Sequence, residues 1–585
     1  MLLRRVFPLI FLGVALLAQE GSTVVSPSET TARAILSSLS LRDRVAQLIV
    51  AVSNGDAPAR QSEDFEKYHH LVADLHVGGL MVNNTVEFGS ARNANPHTMA
   101  VFLNQMQKLS SLPLLVSSDF EQSASFRITG GAKFPQSMGL AAGGDVEAAR
   151  YEGQVTAREA RALGIHWVFA PVADVNNNPA NPIINLRSYG EDPEQVSRFV
   201  TAFIEGAHSD PANQVLVTAK HFPGHGDTAV DSHLGLPKLT LSRDRMDAIE
   251  LKPFRAAIAS GVDSIMTAHM ALPELDPSGV PATVSPKILT DLLRNELQFK
   301  NLIVTDAMTM QGLASLFNSG EGSVRSLLAG ADILLMPPDP EMAINAVVEA
   351  VEQGRLTEER LDQSVLRLLT AKVRLGLMER KTVDLEAISD VLAAPDVAEH
   401  VQAIADAGVT LLRNQRNIVP LASNGAHCLI TVTSLRISQQ GQRFIQAFKA
   451  RSPKVKIASI DTTMPLAAIE AEVGNTLRCT SIVIANFASI TSVQKDLGHL
   501  LDKLIAGIPP VVLATFNDPY IGTRFPTVDV YLTPFSSATP SELSVVKALF
   551  GEIGFTGHSP VGIPQMAEMG AGIHIPARRV VAQKR

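Results

Sequence analysis

The sequence is poor in cysteine and carries no surplus of positive charge. Only Cys428 and Cys479 occur in 585 residues, which excludes a disulfide framework, while a single bridge between them can be neither asserted nor denied. The formal net charge of −8 gives no electrostatic reason to expect a nucleic acid partner, because nucleic-acid-binding domains usually present a basic face. We therefore expect a neutral or small polar ligand.

The chain also lacks an apolar run long enough to cross a membrane comfortably. The apolar run near its start covers residues 6–18, whereas a membrane-spanning helix needs about 20 apolar residues. Arg4 and Arg5 precede this run and small residues follow it, which is the layout of a secretory signal peptide over residues 1–21. An uncleaved anchor is the alternative, and no cysteine follows the run to accept a lipid. We expect an exported, periplasmic or extracellular protein with no membrane span after cleavage.

Short apolar segments alternate with helical patterns over residues 45–340. A composition of 46% hydrophobic and 18% charged residues is that of a soluble globular protein, and 585 residues are too many for one core. The eight apolar segments lie at residues 48–52, 79–82, 112–116, 167–170, 215–219, 264–267, 302–305 and 333–336. Such alternation predicts βαβ units and a parallel sheet, and eight units favour a (β/α)8 barrel. A Rossmann-type sheet remains possible on this pattern alone.

Polar side chains follow several of these apolar segments directly. They are Asp119, Asp174, Lys220 with His221, His269 and Asp306. In a (β/α)8 barrel the carboxyl ends of all strands form one mouth, so residues distant in sequence meet around one ligand. The barrel interpretation therefore predicts that these groups converge.

The remaining patterns divide the chain into further units. We predict an α/β protein in which a (β/α)8 TIM-type barrel over residues 30–385 is followed by a linker at 386–407. Five apolar runs between residues 428 and 532 then predict a smaller α/β sandwich domain over 408–565. The tail at 566–585 is predicted to be a loosely held, solvated end.

The segment 220–233 reads KHFPGHGDTAVDSH and concentrates groups that donate, accept and relay protons. Its three histidines and its two aspartates could ligate a metal, but they lie on a loop with glycine and proline rather than on one helical face. An acid/base site needs only one imidazole oriented by a carboxylate, and Asp231 with His233 supplies that pair. A loop with incidental polar groups is the third interpretation. We favour the acid/base site and expect no metal.

Asp306 follows the apolar segment 302–305 and precedes small and apolar residues. A carboxylate in that place is either an N-cap for the next helix or a nucleophile in a barrel mouth. Taken alone, the cap is the better interpretation. Beside the loop that carries His233, the nucleophile becomes the better one.

These residues match a known family. The chain resembles bacterial β-N-acetylglucosaminidases of glycoside hydrolase family 3, the NagZ-like group, whose motif K-H-F-P-G-H-G-D-x-x-x-D-S-H is reproduced over residues 220–233. The resemblance extends through further barrel segments into the second domain, at residues 170–175, 187–193, 266–269, 305–308, 408–414 and 548–552.

The resemblance implies a retaining, two-step glycosidase mechanism without metal or cofactor. Asp306 would attack the anomeric carbon and form a covalent glycosyl-enzyme, while His233, oriented by Asp231, would protonate the leaving oxygen and later deprotonate the acceptor. Because this is not a pair of carboxylates, their usual separation of about 5 Å is not diagnostic here. An imidazole does not repel an anionic acceptor, so phosphorolysis is a further hypothesis.

The resemblance also implies the residues that hold the sugar. Asp119, Arg187, Lys220 and His221 would bind its hydroxyls and N-acetyl group, and we add Arg127 and His269 to this substrate-binding set. The alternatives are a loop carboxylate for Asp119, a surface salt bridge for Arg187 and a satisfied strand-end histidine for His269. The family pattern D-x-E-G-G-x-x-x-R reads DFEQSASFR over residues 119–127. Since both glycines are lost, we expect a different loop path and a reshaped pocket.

The leading interpretation is an exo-β-N-acetylglucosaminidase that releases terminal N-acetylglucosamine from peptidoglycan fragments or chitin-like oligosaccharides. A family 3 β-glucosidase or β-xylosidase is the nearest rival, and it would take its acid/base from a glutamate in the second domain. A metal-dependent hydrolase and a non-catalytic carbohydrate-binding cell-wall protein are the others. We expect a monomer whose partner is a carbohydrate with terminal N-acetylglucosamine, in a bacterial periplasm or outside the cell.

Overall fold

The computed structural model describes residues 26–55, 57–87, 90–392, 394–474, 479–489, 495–507 and 509–578. The predicted signal peptide at residues 1–21 and the last part of the predicted tail, 579–585, lie outside the described residues. Within these described ranges, no helix is both long and apolar enough to span a membrane.

Eight parallel strands form the first sheet. They are β1 (Ile49–Asn54), β2 (Gly79–Asn83), β3 (Leu115–Ser118), β4 (Trp167–Val168), β5 (Leu216–Phe222), β6 (Ser264–Thr267), β7 (Leu302–Val304) and β8 (Leu334–Leu335). Their order in the sheet is β8-β1-β2-β3-β4-β5-β6-β7, and a bridge between Val304 and Ile333 joins β7 to the chain entering β8. The sheet therefore closes, which confirms the barrel and rules out the open Rossmann sheet.

Helices surround this barrel and flank the second sheet. They are α1 (Pro27–Leu36), α2 (Leu41–Gln47), α3 (Glu63–His69), α4 (Pro96–Leu109), α5 (Ser137–Ala142), α6 (Glu147–Leu163), α7 (Pro193–Ala207), α8 (Arg243–Ala248), α9 (Lys252–Ala259), α10 (Gln311–Ala314), α11 (Ser319–Ala329), α12 (Pro340–Glu352), α13 (Glu358–Arg374), α14 (Ile388–Val391), α15 (Pro395–Ala407), α16 (Gln442–Arg451), α17 (Leu466–Gly474), α18 (Lys495–Ile505) and α19 (Thr539–Leu549). Two π-helical segments, His70–Asp74 and Lys287–Glu296, complete the longer elements.

Local sequence explains where these helices begin. Asp192 precedes α7, its carboxylate accepts hydrogen bonds from the backbone N–H groups of Glu194 and Gln195, and Pro193 occupies the first helical position. Ser40 caps α2 in the same way through the N–H of Asp43. Side-chain caps of this kind satisfy the donors that a helix leaves unpaired at its start.

The barrel interior is filled by side chains, including polar ones. Trp167 on β4 is fully buried, and its indole N–H lies 2.8 Å from the Thr218 hydroxyl and 2.9 Å from the Ser264 hydroxyl. These three residues come from neighbouring strands and satisfy one another inside the barrel. The barrel is therefore a packed support for the loops at its mouth.

The second sheet has six strands. They are β9 (Thr410–Asn414), β10 (His427–Thr433), β11 (Lys456–Asp461), β12 (Ser481–Asn486), β13 (Val511–Thr515) and β14 (Val530–Thr533), in the order β9-β14-β13-β12-β10-β11. Among the described strand pairs of this sheet, only β9–β14 is antiparallel. Ile482 and Ile484 of β12 join one apolar cluster, whereas Val483 and Ala485 join the other, as alternation in a two-sided sheet requires.

A disulfide joins Cys428 at the start of β10 to Cys479, and their Cα atoms lie 5.8 Å apart. The sequence left this pairing open. The bridge ties two neighbouring strands of the second sheet at their amino ends, because Cys428 pairs in register with Ile482 of β12.

The described part of the tail is fastened to the second domain. Residues 566–578 are largely exposed, but Ile575 pairs with Phe555, and the Arg578 guanidinium donates to the carbonyl oxygens of Pro420 and Leu421. Backbone pairing and a cation therefore hold this part of the predicted tail against the second domain.

Candidate active site

A cavity of about 440 Å³ opens at the carboxyl ends of the barrel strands. Seven of the nine predicted site residues line it: Asp119, Arg127, Arg187, Lys220, His221, His233 and Asp306. Asp231 and His269 lie behind the lining. Among the described residues, all of those lining the cavity belong to the barrel, between Met81 and Met336.

A network of paired charges forms one wall. Lys220 at the end of β5 donates to Asp119 over 2.8 Å, and its Nζ lies 2.6 Å from a carboxylate oxygen of Glu121. Arg187 binds both oxygens of Glu121, each over 2.8 Å. Arg127 binds the second oxygen of Asp119 over 2.7 Å. Bidentate and charge-assisted contacts of this kind fix side chains in direction as well as in distance.

These pairings keep the carboxylates ionised. Burial alone would raise the pKa of Asp119, but Lys220 and Arg127 outweigh it and hold this pKa at about 2. Burial likewise opposes ionisation of Glu121, yet Arg187 and Lys220 lower its pKa well below the ordinary value. The wall therefore presents charged acceptors and donors at neutral pH, which suits the hydroxyl groups of a sugar.

Asp174 anchors the start of the loop 220–233. Its buried carboxylate accepts from the backbone N–H of His225 over 2.7 Å and from Nδ1 of His221 over 2.7 Å. Because Nδ1 of His221 carries the proton in this contact, Nε2 faces the cavity as an acceptor, 3.4 Å from Arg187. Burial raises the pKa of Asp174, but His221 and His225 more than offset it and lower the pKa overall.

A close backbone approach explains one glycine of the loop. A Cβ at Gly226 would lie 1.7 Å from the carbonyl oxygen of Val175, so no other residue fits there without displacement. The side-chain amide of Asn181 donates to the carbonyl oxygens of His225 and Gly226 over 2.9 and 2.8 Å. The middle of the loop is thus held against the segment that follows β4.

The end of the loop places His233 at the rim of the cavity. Nδ1 of His233 lies 2.8 Å from Asp231, whose same oxygen also accepts from the His233 backbone N–H. The His233 side chain is 54% exposed, so Nε2 is open to a ligand. His225, which the sequence left without a role, bonds Ser232 and Thr228 and shapes the loop.

Asp306 lines the same cavity directly after β7. One of its oxygens accepts from the backbone N–H of Ala307 over 2.7 Å. The next helix, α10, begins after Met310, so Asp306 does not act as its N-cap. The geometry therefore excludes the N-cap interpretation for α10. The carboxylate lies in the barrel mouth, as the other interpretation requires.

His269 lies behind the cavity. It is fully buried, its Nδ1 lies 2.7 Å from the Thr283 hydroxyl, and its Nε2 lies 3.1 Å from the carbonyl oxygen of Ala307. Burial lowers the pKa of His269. We predicted it to bind substrate, but both its nitrogens are engaged behind the cavity, where it supports the backbone next to Asp306.

Two site residues were missed as such from the sequence. Glu121 joins Arg187 to Lys220, and Asp174 orients His221. A signal existed for each, because Glu121 is the acidic residue of the D-x-E pattern and Asp174 follows a strand end. What the sequence does not show is which side chain each carboxylate contacts.

The loop 119–132 lacks both glycines of the family pattern, yet one of its residues adopts a backbone conformation that favours glycine. Ser123 has a φ of 59°, in the region that favours glycine, and its hydroxyl donates to Glu159 of α6 over 2.6 Å. The other oxygen of Glu159 accepts from the Ala132 backbone N–H over 2.9 Å. A buried carboxylate therefore holds the loop that carries Asp119, Glu121 and Arg127.

Among the residues that the structure describes, no group of three or more His, Cys, Asp or Glu side chains is arranged to hold a metal ion. The histidines of the loop 220–233 instead contact carboxylates and hydroxyls of the protein.

Comparison with known proteins identifies the family. The model of the glycosyl hydrolase family 3 N-terminal domain matches residues 40–371, which span the barrel and its cavity. The chain belongs to glycoside hydrolase family 3. It is therefore a glycoside hydrolase whose substrate is a carbohydrate.

Several known proteins are similar to this chain over most of their length. The chain is 29% identical to a β-N-acetylglucosaminidase/β-glucosidase of Cellulomonas fimi, over 86% of this chain and 91% of that one. It is 30% identical to β-hexosaminidase A of Pseudoalteromonas piscicida, over 77% of each chain. Among solved structures, a family 3 β-N-acetylglucosaminidase from Paenibacillus sp. str. FPU-7 superposes with a TM-score of 0.80 at 30% identity, covering 90% of this chain and 99% of that one.

Proposed function

We propose that this family 3 enzyme is a retaining exo-β-N-acetylglucosaminidase acting on peptidoglycan fragments or chitin-like oligosaccharides. The observation that carries the proposal is the Asp231–His233 pair at the rim of the cavity that Asp306 lines. Within the described residues the second domain contributes nothing to this lining, which argues against a β-glucosidase with an acid/base there. The Paenibacillus protein, named as a β-N-acetylglucosaminidase, supports the choice of sugar, and the Cellulomonas fimi relative is named for this activity together with β-glucosidase activity.

In the first step, a carboxylate oxygen of Asp306 attacks the anomeric carbon as the bond to the leaving oxygen breaks. His233, protonated on Nε2, gives that proton to the leaving oxygen, and Asp231 stabilises the imidazole through Nδ1. In the second step, neutral His233 takes a proton from water, which attacks the anomeric carbon and releases Asp306. The paired wall of Asp119, Arg187 and Lys220 holds the sugar through both steps.

Phosphate is a second candidate acceptor. A β-glucoside phosphorylase, BglX, superposes with a TM-score of 0.80 at 25% identity, covering 92% of this chain and 97% of that one. In the present chain the proposed acid/base that acts with Asp306 is the imidazole of His233, which does not repel an anion as a second carboxylate does. Both observations favour attack on the glycosyl-enzyme by phosphate in addition to attack by water.

We also propose that the enzyme is exported from a bacterium and acts as a monomer in the periplasm or outside the cell. The Cys428–Cys479 disulfide supports export, because such bridges persist mainly in oxidising compartments. Fractionation of the native host tests export, and the mass of the purified protein in solution tests the monomeric state. A cytoplasmic protein, or a stable oligomer, would contradict them.

Comparing 4-nitrophenyl β-N-acetylglucosaminide with 4-nitrophenyl β-glucoside tests the sugar. We expect kcat/KM to be at least about tenfold higher on the N-acetylated substrate, with activity unchanged by a chelator. Equal or greater activity on the glucoside would overturn the sugar assignment, and loss of activity with chelator would favour a metal-dependent hydrolase. Adding phosphate to the same assay should yield sugar 1-phosphate, and its absence would reject phosphorolysis.

A further inference from the structure

A second cavity, of about 240 Å³, lies on the face of the barrel opposite the catalytic mouth. Its lining includes His166, which immediately precedes β4, and Asn213, which precedes β5. Because the amino ends of the strands lie at this face, the cavity is separated from Asp306 by the whole barrel interior. The second half of α6 and the segment 380–391 form its other walls.

The cavity gathers cationic side chains. Arg158 and Arg161 of α6, together with Arg380 and Lys381, line it against a single carboxylate, Asp384. Within the described ranges, none of these four cations forms an ion pair within 4.0 Å. This contrasts with the arginines elsewhere on the same face, such as Arg374, which pairs with Asp263.

Several of the guanidinium nitrogens are buried without a partner. Nε and Nη2 of Arg158 and Nη1 of Arg161 have no hydrogen-bond acceptor among the described residues, although water scarcely reaches them. Burial, together with the nearby Arg380, lowers the pKa of Arg161. Glu159 is the carboxylate next to Arg158 in the sequence, but its oxygens accept hydrogen bonds from Ser123 and Ala132 of the loop 119–132. Buried donors of this kind normally have an acceptor.

His166 adds a neutral donor. Its Nδ1 accepts from the backbone N–H of Val116 over 3.2 Å, so the proton lies on Nε2. Burial, reinforced by Arg161 and Lys372, lowers the pKa of His166 to about 3, which keeps the imidazole neutral. The cavity therefore offers N–H donors from several directions against a single carboxylate, Asp384.

We propose that this cavity binds a phosphate group, free or esterified, through Arg158, Arg161 and Arg380. Four cations face one carboxylate, so a doubly charged oxyanion compensates the surplus better than a single carboxylate does. The tetrahedral oxyanion also has enough acceptor oxygens for several guanidinium donors. This site is independent of phosphate acting as a glycosyl acceptor at Asp306.

Thermal unfolding of the full chain tests the proposal. We expect 10 mM phosphate to raise the unfolding midpoint by about 2 °C relative to chloride at equal ionic strength, and acetate to raise it less. The double variant R161M/R380M should lose at least half of this shift. In chloride its midpoint should not fall, because two unpaired like charges are removed. R198M, at an exposed arginine of α7, is the control and should keep the whole shift.

Absence of a phosphate-specific shift in the wild type would overturn the proposal. So would an equal shift in R161M/R380M and wild type, since phosphate would then bind only elsewhere, including the catalytic cavity. If R161M/R380M does not fold, R158M alone carries the same comparison. Glycerol phosphate in place of inorganic phosphate distinguishes the sources, because a larger shift with the ester identifies an esterified ligand.

Discussion

At the scale of single residues, the catalytic cavity depends on carboxylates whose charge is fixed by cations. Glu121 is the central example, since it is only 7% exposed and binds both Arg187 and Lys220. A buried carboxylate between two cations costs free energy to desolvate, and the pairing offsets that cost only while all three residues are present. We therefore expect Glu121 to position Arg187 and Lys220, the proposed sugar-binding cations, without having to contact the sugar itself.

Replacing Glu121 with glutamine should disorder this wall. The substitution removes the charge that holds Arg187 and Lys220, so we expect kcat/KM to fall roughly 10- to 100-fold, mostly through KM. Steady-state kinetics on 4-nitrophenyl β-N-acetylglucosaminide measures the effect. E321Q is a matched control, because Glu321 pairs with Arg325 and Arg355 on the outside of the barrel. If E121Q stays within twofold of wild type, the positioning role is wrong.

At the scale of elements, α6 connects the two ends of the barrel. Glu159 on this helix holds the loop 119–132, in which Ser123 keeps a φ of 59°. The sequence predicted that loss of two glycines would alter this loop. The physical solution, a buried carboxylate on a distant helix, was not predictable because the helix and the loop meet only in the folded chain.

Replacing Glu159 with glutamine should loosen that loop. An amide cannot accept all three hydrogen bonds from Ser123, Ala124 and Ala132, so we expect KM to rise several-fold with little change in kcat. S123G should have a smaller effect, because glycine adopts a positive φ readily. E152Q is the control on the same helix, since burial raises the pKa of Glu152 well above its ordinary value and glutamine resembles the neutral acid. An unchanged KM in E159Q would refute the role.

Helix α13 carries a buried lysine that links stability to pH. Lys372 donates to Gln47 over 2.7 Å, and burial lowers its pKa to about 7 from 10.5. Between these two values the unfolded chain keeps a proton that the folded chain has lost, so folding is favoured by rising pH. The free energy of unfolding of wild type, relative to K372M, should therefore rise by about 1.4 kcal/mol per pH unit from pH 7 toward pH 10. Denaturant titrations at several pH values measure this difference, and a pH-independent difference would contradict it.

At the scale of the whole molecule, the sequence predicts the barrel better than the second domain. Barrel strands such as Leu302–Val304 are fully buried and read as continuous apolar runs, so their positions follow from the sequence. Strand Thr410–Asn414 was not predicted as a strand, because it is a half-exposed antiparallel edge with polar residues such as Arg413 and Asn414. The predicted linker contains α15, which packs on α19 through Gln402 and Ser544.

The disulfide should stabilise the second domain without affecting the catalytic cavity. Cys428 and Cys479 are 51 residues apart, and closing a loop of that length contributes up to about 4 kcal/mol in the chain-entropy model. C479S should therefore lower the unfolding midpoint. Activity below that midpoint should remain, because the described lining of the cavity comes from the barrel. Calorimetry and an activity assay on the same sample measure both, and loss of activity in folded C479S would contradict the separation.

The central claim is that Asp306 is the nucleophile and His233 the acid/base of one cavity. The most direct measurement is kcat/KM of wild type, D306A and H233A on 4-nitrophenyl β-N-acetylglucosaminide and on chitobiose, whose leaving group needs protonation. We predict that D306A loses activity on both substrates. H233A should lose about 10²- to 10⁴-fold on chitobiose and keep most of its activity on the nitrophenyl substrate. Equal losses of H233A on the two substrates, or an active D306A, would contradict the account.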